Sequence, residues 1–164
     1  MERKYQTGGS RFLAALIDGL IFLPLALFED AVLLPTDNKL GFMVWVIFNI
    51  SLSCAYSVLL HAKYGQTLGK MVMKVKIVDG SETKPITLEQ AFMRDVVGIA
   101  IMSIAIIFLF IKFADIEVIE KGYDDFLMPW AFSWAVIELV TMLTNSKRRA
   151  VHDFIAGTVV VRTK

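Results

Sequence analysis

Two carboxylic acids, Asp18 and Glu138, stand inside long apolar stretches of the sequence. A charged side chain in the hydrocarbon core of a membrane is costly, usually faces the interior of a helix bundle, and marks a functional site by default. Asp18 lies seven residues after Arg11 in the segment RFLAALID, which is roughly 10 Å along a helix. Because seven residues are almost two turns, both side chains fall on nearly the same face but too far apart for an easy direct pair. Arg11 is therefore expected to reach Asp18 through an intermediate group, or to pair with a second acid.

A second carboxylic acid and three small side chains are predicted at the same membrane depth as Asp18. Glu138 lies six residues inside the end of its apolar stretch, roughly 9 Å deep. Within a turn of that layer fall Cys54, Ser57 and Ser103. Two carboxylates in a region of low dielectric need a cation between them, a proton on one of them, or a basic partner. Two hypotheses therefore remain open: an ion or proton site, and a structural polar cluster that fixes how the helices pack.

The composition is that of a membrane protein. Hydrophobic residues make up 56% of the 164 residues, the mean hydropathy is +0.61, and the charges are segregated between apolar blocks. The length predicts one domain over residues 1–164. A single cysteine, Cys54, excludes an intramolecular disulfide. The first apolar run is interrupted by Asp18 and is followed by no small-residue cleavage site, so we expect an uncleaved membrane span.

The apolar blocks and helix signals predict four membrane-spanning helices. Their expected ranges are about 11–34, 40–60, 88–113 and 126–144. Each block approaches or exceeds the roughly 20 residues that a helix needs to cross the hydrocarbon core. Thr87 and Gln90 form a capping-box pattern at the start of the third helix.

Two short strands are predicted outside these helices, at about 72–78 and 158–162. In the first, apolar residues at 73, 75 and 77 alternate with lysines at 74 and 76, the period of a half-exposed strand. Two strands alone are marginally stable in water, so we expect them to pair and to pack against the helix ends. The predicted fold class is an all-α membrane protein, a four-transmembrane-helix bundle with a small cytoplasmic two-stranded β element.

Basic residues predict the orientation. Fourteen of the 17 Lys and Arg residues lie in the N-terminal segment, in the segment between the second and third helices, or in the C-terminal tail. By the positive-inside rule, both termini are cytoplasmic, and the expected location is the bacterial inner (plasma) membrane. Topology alone accounts for the cluster of Lys147, Arg148 and Arg149. Binding of anionic lipid headgroups by this cluster is a secondary hypothesis.

The sequence carries no recognisable catalytic or metal-binding motif. Gly65, Gly69 and Lys70 resemble a phosphate-binding loop only superficially, because the glycines are four residues apart instead of five and methionine replaces the required Ser or Thr. His61 and His152 lack metal-ligand spacing, and no nucleophile–base pair is evident. We therefore expect a protein that is not an enzyme and that has no metal, no cofactor and no nucleic-acid partner.

Four segments resemble the RDD family of membrane proteins, which is named for one arginine and two aspartates. In chain order they are RFLAALID, YGQTLGKMVMKVKIVD, ITLEQAFMRD and RRAVHDFIAGTVVV. Arg11 and Asp18 match the arginine and the first aspartate, and Asp153 is assigned to the second aspartate ahead of Asp79. The other motif residues in these segments are Gly65, Gly69, Lys70 and Arg94.

The resemblance implies a role in the transport of poorly defined ligands, and some members of the family are reported as sodium–proton antiporters. We therefore expect ion or small-solute transport, including cation–proton exchange, through a buried polar site centred on Asp18. The expected partners are the lipid bilayer, a monovalent cation or proton, and further copies of the chain or a membrane partner protein. The alternative hypothesis is a non-transporting accessory or assembly subunit of a membrane complex.

Overall fold

The computed structural model describes residues 3–36, 38–111 and 128–163. These residues form helices and one small sheet. In chain order the elements are α1 (Gly8–Phe28), α2 (Lys39–Tyr64), α3 (Leu68–Val72), β1 (Val75–Asp79), α4 (Leu88–Ile111), α5 (Met128–Thr144), α6 (Val151–Ile155) and β2 (Thr158–Arg162). Beyond its α-helical part, α1 continues as a π-helical turn over Glu29–Leu33.

Among the described residues, two helices are long and apolar enough to cross a membrane. The segments Gly8–Leu33 and Lys39–Tyr64 each have 26 residues, with mean hydropathies of 2.0 and 1.9, and exceed the roughly 20 residues required. Only 6% of the most apolar window of each is buried, whereas the core helix of a soluble domain buries most of its surface. The apolar faces of α1 and α2 are therefore suited to contact with lipid.

The predicted helices agree with the structure in position but less well at their ends. The first begins at Gly8 instead of Arg11 and runs through Pro24, and the second extends over Lys39–Tyr64. The third begins at Leu88 as predicted, and the capping box is formed, with both Thr87–Gln90 hydrogen bonds at 3.1 Å. Residues 112–113 and 126–127 of the predicted third and fourth helices lie outside the described residues. Membrane crossing by α4 and α5 stays a prediction.

The two predicted strands pair antiparallel, in a register that runs from Val75–Arg162 to Asp79–Thr158. The second strand has the predicted bounds. The first begins three residues later than predicted because residues 68–72 form α3, and Lys74 then turns the chain with a φ of 53°. The alternating pattern therefore predicted the pairing, but a short helix replaced the first residues of the expected strand.

The sheet packs against the ends of α2 and α4, as expected for a two-stranded element. Val75, Ile77 and Val160 from the strands form one buried cluster with Val58 of α2 and Ala91 of α4. We call this part of the molecule, with α3, β1, β2 and α6, the sheet end. It fixes the relative positions of the helices that carry the polar residues described next.

Candidate functional site

Asp18 accepts three hydrogen bonds from other parts of the chain. Tyr56 Oη of α2 and the backbone amide of Gly69 in α3 both donate to Oδ1, at 2.7 and 2.8 Å, and Thr67 Oγ1 donates to Oδ2 at 2.6 Å. We call these four residues the Asp18 clasp. Because hydrogen bonds to an ionised carboxylate are stronger than those between neutral groups, the clasp ties α1 to α2 and α3.

The segment from Gly65 to Lys70 is shaped for this clasp. Gly65 ends α2 in the left-handed region, with a φ of 69°, which is costly for residues with a Cβ. Thr67 is the N-cap of α3, and its hydroxyl also donates to Asp18. A Cβ on Gly69 would lie 2.1 Å from the carbonyl oxygen of Ala14. A glycine at this position therefore lets α3 approach the backbone of α1.

Asp153 is fully buried and is held by arginines from two other helices. Arg11 Nη2 of α1 lies 2.7 Å from Oδ2, and Arg94 Nη1 of α4 pairs with Oδ1 and donates to Thr158 Oγ1 at 2.7 Å. The amide of Ala150 donates to Oδ2 at 2.9 Å. Burial by itself would raise the pKa of Asp153, but the charges of Arg94 and Arg11 outweigh burial and hold this pKa well below its usual range. Asp153 is therefore a buried anion shared by two cations.

His152 extends these contacts to Glu138 on α5. Its Nδ1 lies 2.9 Å from Glu138 Oε2, its backbone amide donates to Oε1 at 3.2 Å, and its Nε2 lies 3.0 Å from Arg11 Nη2. An arginine can only donate hydrogen bonds, so Nε2 accepts and Nδ1 carries the ring proton towards Glu138. Burial lowers the pKa of His152, and the charge of Arg94 lowers it further against the hydrogen bond to Glu138. We call Arg11, Arg94, His152, Asp153 and Glu138 the arginine–aspartate network.

The polar residues that the sequence placed at one depth have separate partners. Asp18 belongs to the Asp18 clasp, and Glu138 contacts His152. Ser57 Oγ lies 3.3 Å from His61 Nδ1, and Ser103 donates to the carbonyl four residues before it at 2.8 Å. These contacts do not bring Asp18 and Glu138 together.

A cleft of about 420 Å³ lies among α2, α4, α5 and α6. Its polar lining includes Asn49, Ser53 and Ser57 of α2, Arg94 and Asp95 of α4, and His152 of α6. Oδ2 of Asp95 is buried and receives no hydrogen bond from the part of the chain that the structure describes. Along α2 the cleft extends from Asn49 to Ser57, a rise of about 12 Å. A buried acceptor of this kind is suited to a cation or a hydrogen-bond donor.

Cys54 lines this cleft and also a neighbouring cavity of about 460 Å³, which Ser103 lines as well. The predicted residues Cys54, Ser57 and Ser103 are therefore associated with cavities, whereas Asp18 and Glu138 belong to hydrogen-bonded clusters. No group of three or more His, Cys, Asp or Glu side chains among the described residues could hold a metal ion.

The basic cluster predicted to contact lipid headgroups also makes contacts within the protein. Lys147 Nζ lies 2.7 Å from Glu82, and the carbonyl of Arg148 accepts a hydrogen bond from Arg11 at 3.0 Å. Arg149 donates to the carbonyl of Asp153 at 2.9 Å. These contacts join the C-terminal segment to the rest of the sheet end, and lipid binding by the cluster stays a secondary prediction.

Comparison with known proteins identifies the family. The model of the RDD family matches residues 5–157. The chain belongs to the RDD family. The "Uncharacterized membrane protein YteJ" of Bacillus subtilis (strain 168) is 28% identical over 123 residues, which cover 71% of this chain and 73% of that protein. No solved structure matches the chain. The family match and this relative support a membrane location for the RDD protein described here.

The structure gives the assigned RDD residues distinct roles. Arg11 contacts Asp153, which agrees with the second sequence alternative, in which Arg11 pairs with an acid other than Asp18. Asp18 is a separate acceptor on the same helix. Asp79, the less favoured candidate for the second aspartate, accepts hydrogen bonds from the amide of Ser81 and the side chain of Gln90, both at 2.8 Å.

Several residues that complete these clusters were not predicted from the sequence. Thr67 precedes the helical turn of α3, and its position as an N-cap was the available signal. His61 follows Ser57 by four residues on one face of α2, a spacing that brings helical side chains together. The other residues missed as partners are Tyr56, Asp95 and Thr158.

Proposed function

We propose that this RDD protein is a membrane carrier for a cation or a small solute with a positive or hydrogen-bond-donating group, and that the cleft is its binding site. Oδ2 of Asp95, which is buried and has no hydrogen-bond partner among the described residues, carries this proposal. The hydroxyl groups of Ser53 and Ser57 and the amide of Asn49 line the same cleft and could coordinate a monovalent cation after it loses water.

The cleft is a better candidate than the Asp18-centred site that the sequence suggested. Both carboxylate oxygens of Asp18 already accept short hydrogen bonds from Tyr56, Thr67 and Gly69. A cation at Asp18 would have to displace donors that also hold α3 against α1. Asp18 is therefore assigned to positioning the sheet end, and Asp95 to the solute.

The carrier is proposed to cross the cell membrane four times, with both termini in the cytoplasm. The hydropathy of α1 and α2 supports two of these spans, and the asymmetric distribution of Lys and Arg supports the orientation. In this arrangement the cleft begins at the cytoplasmic ends of α2 and α4 and extends into the membrane. Four short helices enclose little volume, so association with further copies is part of the proposal.

Transport in proteoliposomes tests this function. Purified wild-type protein is reconstituted with a pH-sensitive dye inside, and gradients of Na⁺, K⁺ and Li⁺ are applied in turn. We expect cation-driven flux for the wild type and its loss in Asp95→Asn, which keeps the size of the side chain but removes its charge. Glu89→Gln is the matched control, because Glu89 is an exposed acid in the first turn of the same helix. Equal flux in Asp95→Asn and wild type would overturn the assignment of Asp95.

An accessory role in a membrane complex is the second candidate, and the exposed apolar faces of the helices favour it. Large side chains such as Phe12, Leu20 and Phe132 are more than 60% exposed, and a partner helix could cover them as well as lipid does. Native mass measurement after mild detergent extraction separates the two candidates. A stoichiometric foreign subunit, together with no flux for any cation, would favour the accessory role over transport.

A further inference from the structure

Three polar side chains form a continuous chain from the sheet end to the cleft. Lys70 Nζ of α3 lies 3.0 Å from Nε2 of His61, and Nδ1 of His61 lies 3.3 Å from Oγ of Ser57 one turn away on α2. Ser57 also lines the cleft. His61 is 3% exposed, whereas Lys70 is partly exposed at the sheet end. The chain therefore connects the amine of a partly exposed lysine with the cleft through a buried imidazole.

The hydrogen-bonding capacity of these groups gives the chain a direction. A protonated lysine has three donors and no acceptor, so it donates to Nε2 of His61. The imidazole is then neutral, and its proton resides on Nδ1, from which it donates to Ser57. The Ser57 hydroxyl both accepts and donates, so its own proton is free to point into the cleft. Each member donates to the next in the same direction.

We propose that Lys70, His61 and Ser57 form a proton relay between the sheet end and the cleft. In one passage, an N–H bond of Lys70 breaks and an N–H bond forms at Nε2 of His61. The Nδ1–H bond breaks as an O–H bond forms at Ser57, and the original Ser57 proton passes to an acceptor in the cleft. Lys70 is left as a neutral amine, and His61 is left with its proton on Nε2, where the amine can accept it as a hydrogen bond. Uptake of a proton by Lys70, and return of the ring proton to Nδ1, reset the relay.

The surrounding charges suit Lys70 to gain and lose a proton. Burial and the charges of Arg94 and Arg11 outweigh the opposing effects of Asp18 and Asp95, and together they lower the pKa of Lys70 to about 8. His61 lies in the electrostatic field of Lys70, Arg94, His152 and Asp153. An ordinary exposed lysine has a pKa of about 10.4 and would release its proton rarely at neutral pH. The relay rests on the proposed transport function only at its far end, where it supplies the cleft with protons.

Nitrogen NMR of the histidines tests the relay without measuring transport. The full chain, with ¹⁵N-labelled histidine, is placed in lipid nanodiscs, and the signals of His61 are identified as those lost in His61→Gln, since the chain has two histidines. We expect the Nδ1–H tautomer below pH 8 and a change to the Nε2–H tautomer as the pH rises through about 8, when Lys70 becomes neutral. A tautomer of His61 that stays the same throughout this pH range would overturn the relay.

Arginine at position 70 separates proton transfer from a structural role of the charge. Lys70→Arg keeps a cation that can donate to His61, but a guanidinium does not deprotonate in proteins. We expect His61 in this variant to keep the Nδ1–H tautomer up to pH 10. Lys63→Arg is the control, because Lys63 is exposed near the end of α2. In this variant the tautomer change of His61 should match that of the wild type. If His61 changes tautomer in Lys70→Arg as it does in the wild type, the relay is overturned. If the wild-type protein shows the expected tautomer change but no cation flux, the result counts against the proposed transport function alone.

Discussion

Asp153 shows how one buried side chain holds three parts of the chain together. Its carboxylate pairs with Arg11 of α1 and Arg94 of α4 and accepts a hydrogen bond from the amide of Ala150, the residue before α6. Arg94 is 6% exposed and Asp153 is fully buried. Because a buried cation without its anion is far less stable than the complete pair, both arginines depend on this one acid.

Replacing Asp153 with asparagine is therefore expected to destabilise the protein strongly. Asp153→Asn leaves Arg94 and Arg11 without their anion, and breaking a buried pair typically costs about 3–5 kcal/mol. The free energy of unfolding in detergent micelles, from denaturant titration at pH 7, measures this loss. Glu89→Gln, an exposed acid on α4, should change stability by less than about 0.5 kcal/mol.

The pairing of Asp153 with the two arginines also predicts that the stability of the protein depends on pH. The pKa of Asp153 is depressed in the folded protein, so the stability that it contributes is fully present above its unfolded pKa of about 3.9 and is lost as the pH falls towards the folded value. The difference in unfolding free energy between wild type and Asp153→Asn should therefore be constant from pH 7 to 5 and should narrow below about pH 4. A constant difference down to pH 2 would contradict the ion pairing.

At the scale of elements, the pairing of segments is easier to predict from the sequence than the contacts between individual side chains. The strands were found because alternating apolar residues in β1 and β2 leave one face to bury, and that face packs on α2 and α4. The clasp was not predicted, and of the network only the pairing of Arg11 with a second acid was anticipated, because these helices are apolar on most faces. Position along such a helix gives the depth of Asp18 or Glu138, but it does not give the direction in which the side chain points.

The short helix α3 shows a second reason for a missed element. Five residues make too short a segment for a periodic pattern, and its stability comes from contacts outside itself. Thr67 caps the helix, and the amide of Gly69 donates to Asp18 of α1. The presence of α3 therefore depends on long-range contacts that local sequence patterns do not contain.

Gly69 is predicted to be the position at which α3 tolerates no side chain. In Gly69→Ala the new Cβ would lie 2.1 Å from the backbone of Ala14 and 2.9 Å from Asp18 Cγ, so α3 must move and its amide must leave Asp18. Overpacking of this kind costs typically about 1–3 kcal/mol, and we expect the upper end of that range, measured as unfolding free energy in micelles.

The matched control for this substitution is Gly19→Ala on α1, one residue after Asp18. A Cβ on Gly19 would meet no atom within 4 Å, and alanine is favoured over glycine in helices by up to about 1 kcal/mol. Stability should therefore stay the same or rise. If both substitutions changed the unfolding free energy equally, close packing of α3 on α1 would not be the cause of the destabilisation in Gly69→Ala.

At the scale of the whole molecule, the contrast between the apolar helices and the polar contacts of the sheet end explains how such an apolar chain keeps one structure. The helices bury little of their surface against each other, since 6% of the spanning windows of α1 and α2 is buried. Buried polar contacts are concentrated at the sheet end, where the clasp, the network and the two strands join α1, α2, α4 and α6. We infer that the sheet end sets the arrangement of the helices and that lipid covers the rest.

The proposed orientation places the sheet end in the cytoplasm, and cysteine labelling tests this. Cys54 is the single cysteine of the chain, so Cys54→Ser gives a background without thiols. Two cysteines are introduced separately into this background. Ser81→Cys lies in an exposed turn of the sheet end, and Lys121→Cys lies in the acidic segment outside the described residues. In intact cells, a membrane-impermeant maleimide should label Lys121→Cys and should label Ser81→Cys only after permeabilisation. Both variants must be labelled after permeabilisation, which controls for buried thiols. Labelling of Ser81→Cys in intact cells would reverse the orientation and would place the partly exposed Lys70, where the relay begins, on the outer side of the membrane.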